Sequence, residues 1–359
     1  MEQVAGFLAP VLVYLYIFIL NYALPGRWVI GYVTKTGTNE KLRYRLNGLP
    51  VLFAVVATWA GLCYSGALPW DWLYTYRWYG LGGAVVFGLI FSAVLVLPYP
   101  AVKKSFFADF YLGRLENPQL WGGRIDAKMW LYLVGAIMLE LNILSFAAHH
   151  YLLYGAQASA GLFLSTALLS FFVTEYLNFE EVHLYTYDFF AERVGFKLGW
   201  GCIAFYPFFY SVAQWSAAAL PNPHTPVPLL VLYALLFFTG WGLSRGANLQ
   251  KYYFKKDPTQ SFLGIKPETI TDGKRVLLVN GFWGLSRHIN YLGEILMATG
   301  IILCVGYPLL PWPWLYPLYY VVLLFPRQAD DDKRCAEKYG PLWQQYVAKV
   351  PKRIIPGVY

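Results

Sequence analysis

Residues 277–294 read LLVNGFWGLSRHINYLGE. An apolar run stops at Asn280-Gly281, a pairing that marks a turn. Phe282, Trp283 and Gly284 follow, and then Arg287, His288, Asn290, Tyr291, Gly293 and Glu294 crowd together. An apolar segment of membrane length, 292–310, begins within the same stretch. Backbone that is not helical at membrane depth persists only where protein or a cavity surrounds it. The stretch is therefore the first candidate for a site, and it places that site in a membrane protein. The plainer reading is an interfacial loop, with Trp283 and Arg287 as anchors.

The rest of the chain agrees with a membrane setting. Of 359 residues, 58% are hydrophobic and 13% charged, against roughly 25% charged in soluble domains. Apolar segments fall near 4–24, 48–68, 79–98, 129–148, 152–173, 198–220, 226–243, 292–310 and 312–326. Most reach the roughly 20 residues that a helix needs to cross the hydrocarbon core. The last is short, and 276–286 leaves room for a further short or re-entrant segment. The expected fold class is all-α, a polytopic transmembrane bundle of nine or ten helices forming one membrane-embedded domain over 1–359.

With nine crossings, the loops 25–47, 99–128, 174–197, 244–291 and the tail from 327 share one side. That side carries 27 of the 28 Lys and Arg, all but Arg77, and the positive-inside rule makes it cytoplasmic. The formal charge of +8 is thus mostly a record of topology. Nucleic acid is not an expected partner, because the basic residues are split among loops. Cys63, Cys202, Cys304 and Cys335 are scattered, no HExxH, CxxC or GxGxxG occurs, and no metal is expected.

Several further positions carry chemistry. Glu140 and Asn142 lie inside the fourth segment, where a carboxylate costs several kcal/mol unless it is paired or faces a cavity. Pro207 sits among Tyr206, Phe208, Phe209 and Tyr210; a bend there either lines a pocket for a flat apolar ligand or packs tightly. Asn248, Lys251 and Lys255, at spacings of three and four, share one helical face where the seventh segment leaves the membrane. Such a basic face suits a phosphorylated ligand, and it equally suits positive-inside anchoring. In the tail, Tyr339, Leu342, Trp343 and Tyr346 recur at helical spacing, so the tail is expected to fold back on the cytoplasmic face. The loop 25–48 reads as solvated, and 174–197 as an acidic segment with a short surface helix.

LLVNGFWGLSRHINYLGE and the tail DDDKRCAEKYGPLWQQYVAKVPKRIIPGVY (330–359) resemble the two signatures of the sterol reductase family. LPGRWVIGYV with YRLNG, ENPQLWGGRIDAK, TYDFFAERVGFKLGWG and ANLQKYYFK add to the resemblance in the right order along nearly the whole chain. It implies a ten-helix membrane reductase that uses NADPH and a sterol from the bilayer. Its cofactor pocket opens to the cytoplasm, with 1–243 as N-terminal helices and 244–359 as the cofactor-binding part. Position by position, it places Asn248, Lys251, Lys255, Trp283, Arg287, His288, Asn290, Tyr291, Arg327, Asp331, Lys338 and Tyr339 at the cofactor. The membrane would be that of the endoplasmic reticulum in a eukaryote and the cytoplasmic membrane in a bacterium. The chain departs from the pattern in several places: Lys255 stands where Arg is usual, Glu294 for Asp, Asp330 for Arg, Pro326 for His, Gln119 in an NPR motif, and Cys202 for the Asp of a GD pair.

The implied reaction saturates a carbon–carbon double bond of a sterol intermediate, of the C-24(28), C-7 or C-14 type. TYDFFAERVGFKL without the GD carboxylate leans towards C-24(28), whereas LGWG and NGFWG lean towards 7-dehydrocholesterol reductases. An isolated C=C accepts hydride poorly, so a proton must reach it first or together with the hydride. Tyr291, Glu294, His288 and Tyr210 are the candidate donors. Two other functions compete. Isoprenylcysteine methyltransferases carry an R-H-P-x-Y-x-G-E pattern, but RHINYLGE has Ile289 at the proline position. The second is a non-catalytic sterol-binding membrane protein.

The sidedness makes a direct prediction. Cysteines introduced at Thr38, Gln119 and Ser261 should all be labelled by an impermeant thiol reagent from the cytoplasmic side. Labelling of any one of them from the opposite side breaks the topology.

Overall fold

The computed structural model describes residues 1–35 and 37–359. They are mostly helical, with three two-stranded antiparallel ribbons. The chain packs as two compact units, 1–222 and 223–359.

In the first unit, α1 (Glu2–Ala23) leads into a hairpin of β1 (Arg27–Thr34) and β2 (Lys41–Leu46). The basic loop of the sequence reading is therefore a ribbon rather than a solvated coil. It pairs Trp28 with Arg45 and Ile30 with Arg43, and it turns Val29, Leu42 and Tyr44 inward. Next come α2 (Gly48–Tyr64), α3 (Arg77–Val96), a short ribbon of β3 (Gln119–Leu120) and β4 (Ile125–Asp126), α4 (Ala127–Tyr154) and α5 (Ala160–Asn178). Side-chain caps start two of these helices. Asp126 accepts from Lys128 N–H (3.0 Å) and Met129 N–H (3.1 Å), and Ser159 accepts from Leu162 N–H (3.3 Å). α1, α3, α4, α5 and one helix of the second unit are long and apolar enough to cross a membrane. α2 is apolar but shorter, with 17 residues.

The sixth apolar segment is not one helix. It runs as Phe196–Trp200, a π-helical turn Gly201–Phe205, Tyr206–Phe209 and Val212–Ala217. Interrupting a helix in an apolar setting leaves carbonyls that need donors. Tyr14 OH donates to Ile203 O (2.6 Å), Asn142 Nδ2 to Pro207 O (3.0 Å), and Ser211 Oγ to Phe208 O (3.0 Å). Asn142 thus has a structural task. Glu140 accepts from Ser170 Oγ at 2.7 Å across α4 and α5. The acidic segment 174–197 forms two short helices, Glu180–His183 and Tyr187–Phe190. It wraps the fully buried Lys128, whose Nζ donates to the carbonyls of Asp188, Phe189 and Glu192.

In the second unit, α6 (Val227–Lys256) carries the seventh apolar segment and the basic face on one continuous helix. A ribbon of β5 (Thr269–Thr271) and β6 (Val276–Leu278) precedes a single helical turn, Phe282–Leu285. Residues 276–286, left open by the sequence as a further crossing, are thus a strand, a turn and one helical turn. α7 (Ile289–Cys304) follows. α8 (Pro311–Tyr339) joins the short ninth segment to the charged tail in one 29-residue helix. Gly340, at φ 55°, ends it, and α9 (Pro341–Lys349) runs on at a new angle. The helical spacing read through Tyr339 and Tyr346 therefore spans a break.

α6 and α7 meet along glycines. A Cβ at Gly240 would stand 2.5 Å from Gly293 O, one at Gly293 2.5 Å from Gly240 O, and one at Gly300 2.8 Å from Tyr233 O. Small residues let helix backbones approach closely where lipid offers no hydrophobic drive to associate. Gly293→Leu is accordingly expected to destabilise the detergent-solubilised protein by ~1–3 kcal/mol, read as a lower melting temperature. Gly242→Ala, on α6 with open space around it, should leave the melting temperature unchanged; equal behaviour of the two variants would refute the seam.

Candidate functional site

The site is built where the end of α6, the turn before α7 and the tail converge within the second unit. Gln250, buried on α6, holds the turn from both sides. Its Oε1 accepts from Phe282 N–H at 2.9 Å and its Nε2 donates to Asn280 O at 3.4 Å. Gly281, at φ 64°, lies against that amide and has no room for a Cβ. Trp283 Nε1–H donates to Ala247 O at 2.8 Å, so the indole is pinned to α6. Lys251 Nζ stands 5.1 Å from the indole ring centre, a cation–π distance. Lys255 is one turn further on, with Lys251, Lys338 and Asp331 within electrostatic range. Three lysine side chains and one carboxylate in each other's electrostatic range suit an anion with several negative charges, which would favour the charged form of each lysine.

Arg287 is 4% exposed. Its Nε and Nη2 donate to Asp332 Oδ1 (3.2 Å) and Oδ2 (3.0 Å), a forked pair, and its Nη1 donates to Val350 O and Pro351 O, both at 2.9 Å. The main chain continues the join: Arg287 N–H and His288 N–H donate to Lys352 O (2.9 Å) and Arg353 O (2.8 Å). The tail thus folds back, as the sequence predicts, and it does so onto residues 286–288. Gln328 Nε2 donates to Asp332 Oδ2 at 2.6 Å. Burial pushes the Asp332 carboxyl up, but His288 and Arg287 beside it outweigh burial and hold it below the ordinary aspartate value.

His288 Nε2 is 3.8 Å from Asp332 Oδ1, beyond hydrogen-bond reach. His288 Nε2 and Asn290 Oδ1 are buried with no hydrogen-bond partner among the described residues. Buried polar atoms of this kind call for a partner outside the chain. The His288 ring stacks on Tyr291 with centroids 4.9 Å apart. Glu294, one turn along α7 from Tyr291, accepts from Ser244 Oγ at 2.6 Å.

Of the residues proposed from sequence as catalytic or cofactor-binding, all but one lie in this unit. Asn248 and Arg327 are half-buried on α6 and α8. Tyr339 stacks on Trp343, with Lys338 Nζ 5.1 Å from its ring centre. Tyr210 is the exception; it lies in the first unit, with its ring 4.6 Å from that of Tyr206. Sequence reasoning missed Gln250, Gln328, Asp332 and Ser244. Gln250 and Asp332 stood in quoted motifs, and Gln328 is one turn from Asp332 on α8, so helical spacing was the signal available. Charge alone did not separate Asp332 from Asp330, which pairs with Arg334 at 2.8 Å on the helix surface.

The lysine cluster and the orphaned atoms of His288 and Asn290 fit a phosphorylated cofactor carrying a polar ring. Comparison with known proteins shows the family of the chain. The model of the ergosterol biosynthesis ERG4/ERG24 family matches residues 5–359. Delta(14)-sterol reductase of Arabidopsis thaliana is 33% identical over 96% of this chain and 94% of its own length. That of Methylotuvimicrobium alcaliphilum is 32% identical over 93% of this chain and 79% of its own. Delta(14)-sterol reductase TM7SF2 of Mus musculus is 35% identical over 94% of this chain and 82% of its own length.

Asp332→Asn should expose how much the tail depends on the fork. Removing one partner of a buried pair costs about 3–5 kcal/mol; Asp332 is only partly buried and the amide keeps one acceptor oxygen, so the loss should fall below that range and the variant should melt below the parent. The pH dependence has a definite sign. The native pKa of Asp332 lies below the unfolded value of about 3.9. Its contribution is therefore complete above about pH 4 and is lost as pH falls through the native pKa. The acid limb of the stability curve should be shallower in Asp332→Asn; an unchanged limb would show that this carboxylate carries no such linkage.

Proposed function

The chain belongs to the ergosterol biosynthesis ERG4/ERG24 family, and from that premise we propose that it reduces the C-14 double bond of a sterol precursor with NADPH. Membership makes it a membrane oxidoreductase acting on a sterol carbon–carbon bond and sets aside the methyltransferase reading of RHINYLGE. What carries the choice of bond is that the three relatives named above, matched over nearly the whole chain, are Delta(14)-sterol reductases. The leanings towards C-24(28) and C-7 find no support among them. The protein would be multi-pass, in the endoplasmic reticulum membrane of a eukaryote or the cytoplasmic membrane of a bacterium.

NADPH, when bound, supplies the hydride. The chain's own residues bind and orient. Lys251, Lys255, Lys338 and Arg327 would hold phosphate oxygens, with Asp331 ordering the lysines. Trp283, pinned by Ala247, offers a fixed flat surface. His288 Nε2 and Asn290 Oδ1 are buried polar atoms positioned for the polar edge of a bound ring. Arg287 already spends four of its five N–H directions on protein, so its main role is to hold His288 in place. The proton would come from Tyr291 or Glu294, which share a face of α7, or from His288 or Tyr210. A phenol is neutral at pH 7 in any case, and a carboxyl in a dry site keeps its proton.

Expression in yeast strains each blocked at one sterol double bond is the test. Restoration of the strain lacking C-14 reduction, with the saturated product identified by mass, is expected. Restoration of another strain alone would reassign the bond, and no restoration together with no sterol-dependent NADPH oxidation would remove the reductase reading. Lys251→Ala, Lys255→Ala and Arg327→Ala should each weaken NADPH binding by about 1.5–3 kcal/mol. Tyr291→Phe and Glu294→Gln should keep cofactor affinity, and the donor is whichever of the two abolishes turnover.

A further inference from the structure

In the first unit, a crevice of about 440 Å³ lies between the base of the β1–β2 hairpin, the start of α2 and the chain just after α5. Its volume falls within the roughly 300–1,000 Å³ of small-molecule sites. Leu46, Leu49, Pro50 and Leu177 give it an apolar side; Arg27, Glu180 and Glu181 give it a charged one. α2 begins here and α5 ends here. The Lys and Arg distribution puts both ends on the cytoplasmic side, so the crevice stands at the level of lipid headgroups. Lipid is then the most abundant amphiphile within reach.

Glu180 decides the chemistry. It is 8% exposed, and its Oε2 accepts from Gly48 N–H at 2.9 Å. That is its one side-chain hydrogen bond among the described residues, which leaves Oε1 without a donor. A Cβ at residue 48 would stand 2.6 Å from Oε1, so the glycine is what lets the carboxylate reach the end of α2. Burial raises the Glu180 carboxyl to about 7, against the pull of Gly48 N–H and Arg27. Arg27 Nη2 bonds Glu181 Oε2 at 2.7 Å, while 67% of the Arg27 side chain stays exposed at the mouth. Glu181 is already held by Arg27, so the crevice offers the Glu180 carboxyl, which a bound cation would keep ionised, beside an accessible guanidinium. An ammonium that can donate hydrogen bonds complements the first, and a phosphate complements the second.

We propose that this crevice binds the headgroup of a zwitterionic aminophospholipid, with the ammonium on Glu180, the phosphate at Arg27 and the glycerol end against Leu49 and Leu177. A choline headgroup has the same charges but no N–H to donate, and a glycerol headgroup has no cation. The site therefore selects ethanolamine over both.

The full-length protein, purified in detergent, is equilibrated with equal amounts of phosphatidylethanolamine, phosphatidylcholine and phosphatidylglycerol, and retained lipid is measured by native mass spectrometry. The ethanolamine lipid should be retained about tenfold over the others, the scale of one charge-assisted hydrogen bond. Glu180→Gln keeps an oxygen for Gly48 N–H, so its melting temperature should hold while the preference disappears. Arg27→Gln should lower ethanolamine-lipid retention. Leu49→Trp fills the crevice and should do the same by a route that leaves Glu180 in place. Lys35→Gln, whose residue pairs with Glu40, should change nothing. Equal retention of the three lipids by the parent protein, an unchanged preference in Glu180→Gln, or displacement of the bound lipid by an added sterol would each overturn the proposal.

Discussion

Arg287 and Asp332 lie 45 residues apart in sequence and meet as a fork between a buried guanidinium and a partly buried carboxylate, and the candidate site hangs on that meeting. A buried guanidinium is tolerable only when its donors are met. Asp332 and the carbonyls of Val350 and Pro351 meet them, which draws α8 and the tail onto the turn that starts α7. His288 and Tyr291 take their places as a consequence. Asp332 also receives Gln328 from its own helix, so the fork is braced along α8 as well as across to α7. A site assembled from three separate stretches needs such a tie to hold them in one place.

α6 acts as the rail on which the rest of the second unit is set. Its apolar part meets α7 through Gly240, Gly293 and Gly300, and the close approach fixes the height of one helix against the other. Its polar part presents Gln250 to the Asn280–Phe282 turn and Ala247 O to Trp283. The glycine packing of the apolar part and the polar contacts of the candidate site are thereby joined through one unbroken helix. Ser244, at the join, bonds Glu294.

In the first unit the governing constraint is the cost of unsatisfied backbone in an apolar surrounding. The broken sixth segment persists because Tyr14, Asn142 and Ser211 donate to its carbonyls. Lys128 does the same for the turns around Asp188 and Glu192, and Arg45 donates to Leu24 O at the end of α1. Buried polar residues here cap the backbone, and their burial is the reason it can be irregular.

The sequence alone determined the class of the protein. Apolar segments of spanning length, Lys and Arg gathered into alternate loops, and two dense motifs depend on composition and order, and they survive without any knowledge of packing. The helical run of Lys251 and Lys255 was legible for the same reason, since spacing along one helix is local. Partners distant in sequence were not legible. Nothing in DDDKRC distinguishes Asp332, which takes Arg287, from Asp330, which takes Arg334; that depends on which face of α8 turns inward. Nor does helical spacing reveal that Gly340 breaks the tail, that 276–286 pairs as a strand, or that Pro207 is preceded by a π-turn. Each was settled by tertiary structure, because a buried donor or acceptor must find its complement wherever the fold brings one within 3 Å.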